Sequence, residues 1–171
     1  MKHGRGFTLI ELMTAIMVLG VLFAVAIPNF REMTRSNRIA SAQNDLVTAL
    51  AVARNEAIHQ STTVAVCASA DGATCSGATD WTTGWIVFTD AAGTAGVVDG
   101  TDAILQKWGI MAGETRVNGT AAYLRYASTG MLTPSTARSF NVYYTGCVGA
   151  KLRNVSVGVI GSTTATKQAC P

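Results

Sequence analysis

Charge is scarce in this 171-residue chain: Asp, Glu, Lys and Arg make up 13% of it, against 49% hydrophobic residues and a mean hydropathy of +0.29. Such a balance excludes a disordered, charge-solvated polymer. Nor does one sign dominate. The formal net charge is +3, but Lys2 and Arg5 precede Phe7, and from residue 7 onward 11 basic residues face 10 acidic ones. Whole-chain charge therefore supplies little steering toward nucleic acid, and any such binding needs a local patch. Histidine is limited to His3 and His59, both remote in sequence from the cysteines, which argues against a zinc site. There is no phosphate-cradling Gly-Lys-Ser/Thr sequence and no metal or triad motif around either histidine. The chain is expected to be no enzyme and to carry no cofactor or metal. Repeats and low-complexity tracts are absent too, and the length suits one domain, or one compact domain with an appendage.

The apolar excess is concentrated at the N-terminus. From Phe7 to Ile27 the only charge is Glu11, and a helix over that run is long enough at about 1.5 Å per residue to cross a bilayer core of about 30 Å. A secretory signal would end its apolar stretch in a small-residue cleavage site, whereas here a short basic leader, "MKHGRG", precedes the run directly. The apolar segment is expected to be retained. Lys2 and Arg5 hold the leader in the cytoplasm and send the C-terminal bulk outside. There the four cysteines form two groups, Cys67 with Cys75 and Cys147 with Cys170, and an even count in an exported head reads as two disulfides. Glu11 is the anomaly: an unpaired carboxylate in a membrane helix costs roughly 2.5 to 3.5 kcal/mol on insertion scales, less near the interface. Either it snorkels to the cytoplasmic interface or it meets a cation when helices pack together.

"GRGFTLIELM" resembles the class III leader of type IV prepilins and pseudopilins. The resemblance implies cleavage between Gly6 and Phe7 by a prepilin peptidase, methylation of the Phe7 amine, and pairing of Glu11 with the N-terminal amine of a neighbouring subunit. On that reading Glu11 is an assembly latch whose desolvation is offset when a partner supplies the amine. Gly20 and Pro28 match the glycine and proline that bracket the stretch commonly melted in assembled pili. Pro28 has no N–H for the carbonyl of Ala24, which by itself also fits a kink at the membrane exit. "AIPNF" looks more like a pilus subunit than a secretion pseudopilin.

Beyond Pro28 the pattern turns amphipathic, with Ile39, Ala42, Leu46, Leu50, Ala53 and Ala57 at intervals of three or four. One helix is expected from about Phe7 to His59. After Gln60 the period falls to two, and "TTVAVC", "GWIVFTD", "AILQKW", "AYLRYA", "SFNVYY" and "RNVSVGVI" read as strands. No helix-length crossover remains, so the sheets are expected to be antiparallel. The fold class is α+β: a long N-terminal helix, half in the membrane and half amphipathic, packed on a β-rich antiparallel head. The expected segments are a leader at 1–6, a membrane and assembly helix at 7–30, and a periplasmic or extracellular head at 31–171. Asp90, Asp99 and Asp102 border a Gly-rich stretch and suggest calcium, but they lack EF-hand spacing, and a hydrated loop is the expectation. Trp81, Trp85 and Trp108 read as core aromatics.

"ALAVARNEAI", the strand running into Cys67, "WTTGWIVFTD" and a final cysteine-bearing strand together resemble the GspH/FimT group of minor pilins, including FimU-type subunits, over essentially the whole chain. The resemblance implies a noncatalytic subunit that starts in the inner membrane and joins other minor pilins and the major pilin. It would prime assembly and cap a fibre of the kind used in cell adhesion. Some FimT-type members bind DNA for natural transformation through a basic GRxR-like turn near the C-terminus. Here "GSTT", Gly161 to Thr164, stands where that turn belongs, without its arginines. Lys151, Arg153 and Lys167 are the substitute cations, joined by Arg116, Arg125 or Arg138 if folding gathers them. DNA is thus a partner of the alternative reading, and a GspH-like type II secretion pseudopilin is the further one.

Overall fold

The computed structural model describes residues 8–149 and 151–170. The chain divides into two units at Ser36/Asn37. α1 (Leu9–His59) is continuous through Gly20 and Pro28.

In the first unit, every residue from Thr8 to Phe30 is exposed, large apolar side chains among them. An 18-residue window of α1 has a mean hydropathy of 2.5, and the helix is long and apolar enough to cross a membrane.

The second unit is built on the amphipathic half of α1. Ile39, Ala42, Leu46, Ala49, Leu50, Ala53 and Ala57 are buried, so the stripe read from the sequence is the seam that meets the sheets. Its alanines keep the helix close to them. Eight strands follow: β1 (Val64–Ala68), β2 (Trp85–Thr89), β3 (Ile104–Trp108), β4 (Thr115–Gly119), β5 (Tyr123–Tyr126), β6 (Arg138–Tyr144), β7 (Leu152–Val157) and β8 (Thr163–Gln168). They form two four-stranded antiparallel sheets, ordered β3-β2-β1-β5 and β4-β6-β7-β8. The alternation on β6 shows why: Phe140, Val142 and Tyr144 turn to the core while Asn141 faces Asn154 of β7 on the other side. β4 and β8 are strands beyond the six read from residue periodicity; β8, ending just before Cys170, is the final strand that the family resemblance alone implies.

Trp81 and Trp85 are fully buried and Trp108 is half-buried. Trp81 meets Phe140 edge-on at 4.8 Å between ring centroids, and its indole N–H donates to the carbonyl of Ala121 at 3.0 Å. It therefore packs a residue before β2 against the second sheet and satisfies its polar atom in doing so. β1 is buried on both faces. One face belongs to the main core; the other, with Ala65, Cys67, Ile86 and Phe88, packs against Cys75, Val98 and Tyr123.

The candidate assembly helix and the surfaces of the head

Thr8 and Glu11 open α1 as a capping box. The Thr8 N–H and hydroxyl both donate to Glu11 Oε2, at 3.1 and 3.0 Å, and the Glu11 N–H donates to Thr8 Oγ1 at 3.3 Å. Spare helix N–H groups and an acidic side chain in the first turn satisfy one another. The carboxylate read as a latch thus already has a local partner, and the T-x-x-E spacing "TLIE" was the sequence signal for it. Gly6 and Phe7, the expected cleavage and methylation positions, lie outside the described residues. At Gly20 a Cβ would meet nothing within 4 Å, and Pro28 sits inside the helix.

In the head, Cys67 is joined to Cys75 and Cys147 to Cys170, with Cα atoms 5.6 and 5.9 Å apart. The first closes the turn after β1, where Asp71 accepts the N–H groups of Ala73 and Thr74, each at 2.8 Å. Those bonds, that from Thr74 foremost, hold the Asp71 carboxyl well below the usual carboxylate range. The second ties the segment before β7 to the end of β8, where the Cys170 N–H donates to the Gly149 carbonyl at 2.8 Å.

The candidate DNA cations are only partly brought together. Arg153 on β7 and Lys167 on β8 are cross-strand partners, but Arg153 is half-buried and donates to Gln43 Oε1 at 3.4 Å. Lys151 is exposed just before β7. Arg116 lies on β4 and donates to Thr145 Oγ1, while Arg138 begins β6. Arg125 is on the other sheet, committed to Asp90. The turn Gly158–Gly161 and the first residues of β8 hold "GSTT". Gly161 has φ +77°, and a Cβ there would run into the Gly130 carbonyl. Arg54 Nη2, from α1, donates to the Ile160 carbonyl at 3.0 Å. The position of the family's basic turn is occupied by a close-packed junction.

The loop after β2 corrects one expectation. Asp90 is not a hydrated loop residue: it is fully buried, lies 2.7 Å from Arg125 Nε, and accepts the Gly96 N–H at 2.8 Å. Its Oδ1 has no hydrogen-bond partner. Burial raises its pKa above the ordinary carboxylate value, outweighing the Gly96 and Arg125 contributions. Asp99 accepts the Thr94 N–H and Asp102 the Asp99 N–H. Among the described residues no group of three or more His, Cys, Asp or Glu side chains comes together to hold a metal.

Set beside known proteins, the chain matches the family model described as type II transport protein GspH over residues 42–162, and the prokaryotic N-terminal methylation motif over residues 1–27. A fimbrial protein of Pseudomonas aeruginosa is 41% identical over 58 residues, covering 34% of this chain and 37% of that protein. The type IV major pilin protein PilA of Myxococcus xanthus (strain DK1622) is 45% identical over 44 residues, covering 26% of this chain and 20% of that one. The chain thus spans less than two fifths of the length of these curated relatives. Similarity to a crystal structure of the Pseudomonas aeruginosa (strain PAO1) type IV minor pilin FimU is broader: TM-score 0.61 and 25% identity over 81% of this chain and 92% of that one. A second crystal form gives the same fold at TM-score 0.59 and 22% identity, over 77% of this chain and 99% of that one. By its leader motif, its helix-on-sheets head and the family match across that head, this chain belongs to the GspH family and is a GspH/FimT-like type IV minor pilin.

Proposed function

We propose that the protein is a noncatalytic structural subunit that helps prime type IV pilus assembly and takes its place in a tip complex with other minor pilins. One observation carries this reading: an exposed apolar helix with a single charge, Glu11, in its first turn is joined to a head like that of FimU. The leader, 1–6, is removed between Gly6 and Phe7 by a prepilin peptidase, and the new Phe7 amine is methylated. The helix of residues 7–30 holds the subunit in the inner membrane with the head, 31–171, in the periplasm. On assembly the Glu11 carboxylate exchanges its Thr8 donors for the amine of a neighbouring pilin, and Gly20 and Pro28 let the helix loosen between them. The head then reaches the cell surface at the pilus tip, on a fibre of major pilin.

Deletion of the protein should remove surface fibres while leaving type II secretion intact. Loss of secretion with normal fibres would make it a pseudopilin instead. DNA capture is the second reading, favoured by the cross-strand pair Arg153 and Lys167. It is the weaker one, because Arg153 is already engaged by Gln43 and the β7–β8 turn presents Ile160 rather than arginine.

A further inference from the structure

Three of the four sheet edges of the head are closed or bent out of line. Beside β4, the Trp81 N–H donates to the Val117 carbonyl at 2.7 Å and the Gly119 N–H to the Thr79 carbonyl at 2.8 Å. Beside β5, the Thr133 N–H donates to the Arg125 carbonyl at 3.0 Å, and Tyr126 is bridged to Leu132. β3 carries a bulge: Val87 pairs with Gln106 and Phe88 with Ile104, which leaves Leu105 as an extra residue. Coverings and bulges of this kind keep a sheet from pairing with other chains.

β8 has neither device. Its six residues pair with β7 without a register shift, and five of them are exposed. The Gly158 N–H donates to the Ser162 carbonyl at 2.8 Å, which sets the phase of the ladder, since antiparallel pairs alternate between bonded and non-bonded. Counting on from Ser162, residues Thr164, Thr166 and Gln168 bond to β7, while the N–H and C=O groups of Thr163, Ala165 and Lys167 point away from it. Among the described residues no backbone group closes that edge. The strand also carries an electrostatic mismatch. Lys167 stands directly opposite Arg153, and like charges so placed repel. Gln43 accepts from Arg153 at 3.4 Å, but among the described residues no carboxylate pairs with either cation.

We propose that β8 takes up a strand from a different minor pilin: an extended, acid-bearing segment pairs along Thr163–Gln168 and sets its carboxylate against Lys167 and Arg153. This rests on the reading of the chain as one subunit among other minor pilins. The free main-chain groups call for an extended segment, because a strand answers alternate N–H and C=O groups along one line. The cations call for an acid. Pairing β8 of one copy with β8 of another supplies none, since "TTATKQ" contains no acid. Thr163, Thr164 and Thr166 are β-branched and favour the extended form that the edge must keep. With the other edges covered or bulged, one strand is added and the pairing stops there.

The test uses the full chain in cells that assemble fibres, with a photo-crosslinking residue in place of Thr166 and each of the other minor pilins tagged in turn. Illumination should join the chain to one of them, with the crosslink mapping to a strand of its head that carries Asp or Glu. Ala165→Pro removes an outward N–H and spares the bonds to β7, so it should lower the yield roughly tenfold. Lys167→Glu should lower it as well, and exchanging the mapped acid for Lys in the partner should restore it, which also shows that the Lys167→Glu chain folds. A yield indifferent to Ala165→Pro, no rescue by the charge exchange, or a crosslink to nucleic acid, to lipid, to a second copy or to a helix would overturn the added strand. Sheared fibres from the same cells separate the two readings. If the chain is in the fibres but joins no other subunit through β8, only the added strand fails; if it is missing from fibres that still form, the structural reading fails with it.

Discussion

Replacing Asp90 should weaken the head, and the deficit should grow as the pH falls. Asp90 is fully buried with one oxygen on Arg125 and Gly96 and the other without a partner. Removing one member of a buried pair typically costs 3 to 5 kcal/mol, since the other charge is stranded. The Arg125 side chain keeps 21% exposure and is partly rescued by water, so about 3 kcal/mol is the expectation for Asp90→Ala. For a head of this size that lowers Tm by roughly 10 °C. Asp90→Asn keeps an acceptor for the Gly96 N–H and should cost less. The sign of the pH dependence follows from linkage. Burial raises the folded-state pKa of Asp90 above the unfolded value of about 3.9, so the native head binds this proton more tightly than the unfolded chain. Between its folded pKa and its unfolded pKa, acidification therefore stabilises the wild type through Asp90, and the Asn variant lacks that gain. Melting residues 31–171 of both proteins at pH 7.5, 5.5 and 4 reads the difference. A deficit that shrinks on acidification would refute the reasoning, because it would mean that the Arg125 ion pair outweighs burial and holds the folded pKa below 3.9.

Asp71 and Asp80 carry the opposite sign. The Thr74 and Ala73 amides hold the former low and Thr82 the latter, so their stabilisation is present above pH about 4 and lost below it; Asp71→Ala should flatten the acid limb of a stability–pH curve. Leu46 has no exposed surface, and Leu46→Ala should cost about 3 kcal/mol by denaturant titration, whereas Val148→Ala, at 75% exposure, should be within error of wild type. Reduction should remove on the order of 2.5 kcal/mol at Cys67–Cys75 and 3.5 kcal/mol at Cys147–Cys170, scaling with loops of sequence separation 8 and 23; a Tm unmoved by reductant would show otherwise. Titration of the head with double-stranded DNA across a salt series should give no submicromolar binding. Tight, steeply salt-dependent binding that vanishes in Lys151→Ala/Arg153→Ala would favour the DNA reading.

The helix was legible because burial repeats at its own period: every position of the stripe read from Ile39 to Ala57 is buried, and Ala49 completes it. The strands that were legible carry alternating or continuous apolar residues, as in "VAVCA" and "WIVFT". β8, "TTATKQ", offers no such signal, since five of its six residues are exposed; it exists by pairing with β7 at the edge of the sheet. β4, "TRVNG", buries Thr115 and Val117 alone, and one valine does not make a period. The partition into two sheets was hidden as well, because strand order depends on pairings such as β1 with β5, where Val64 meets Tyr126, 62 residues on. In the candidate site, the "TLIE" box around Glu11 was readable from spacing. The Asp90–Arg125 pair was not: the two residues lie on elements far apart in sequence, and nothing around either announces the other. The junction of Arg54 with Gly130 and Gly161 is likewise a tertiary event, for which a lone glycine in a turn is no signal.

In the proposed assembly Glu11 is the group that joins this subunit to a neighbour. The most direct measurement compares wild type with Glu11→Ala in cells, scoring the protein in the membrane fraction and in sheared fibres. Membrane content should be unchanged, or higher, while the amount recovered with fibres falls at least tenfold, as expected when a buried charge loses its partner. Equal recovery of the two proteins in fibres would contradict the latch, leaving Glu11 as nothing more than the N-terminal cap that Thr8 completes.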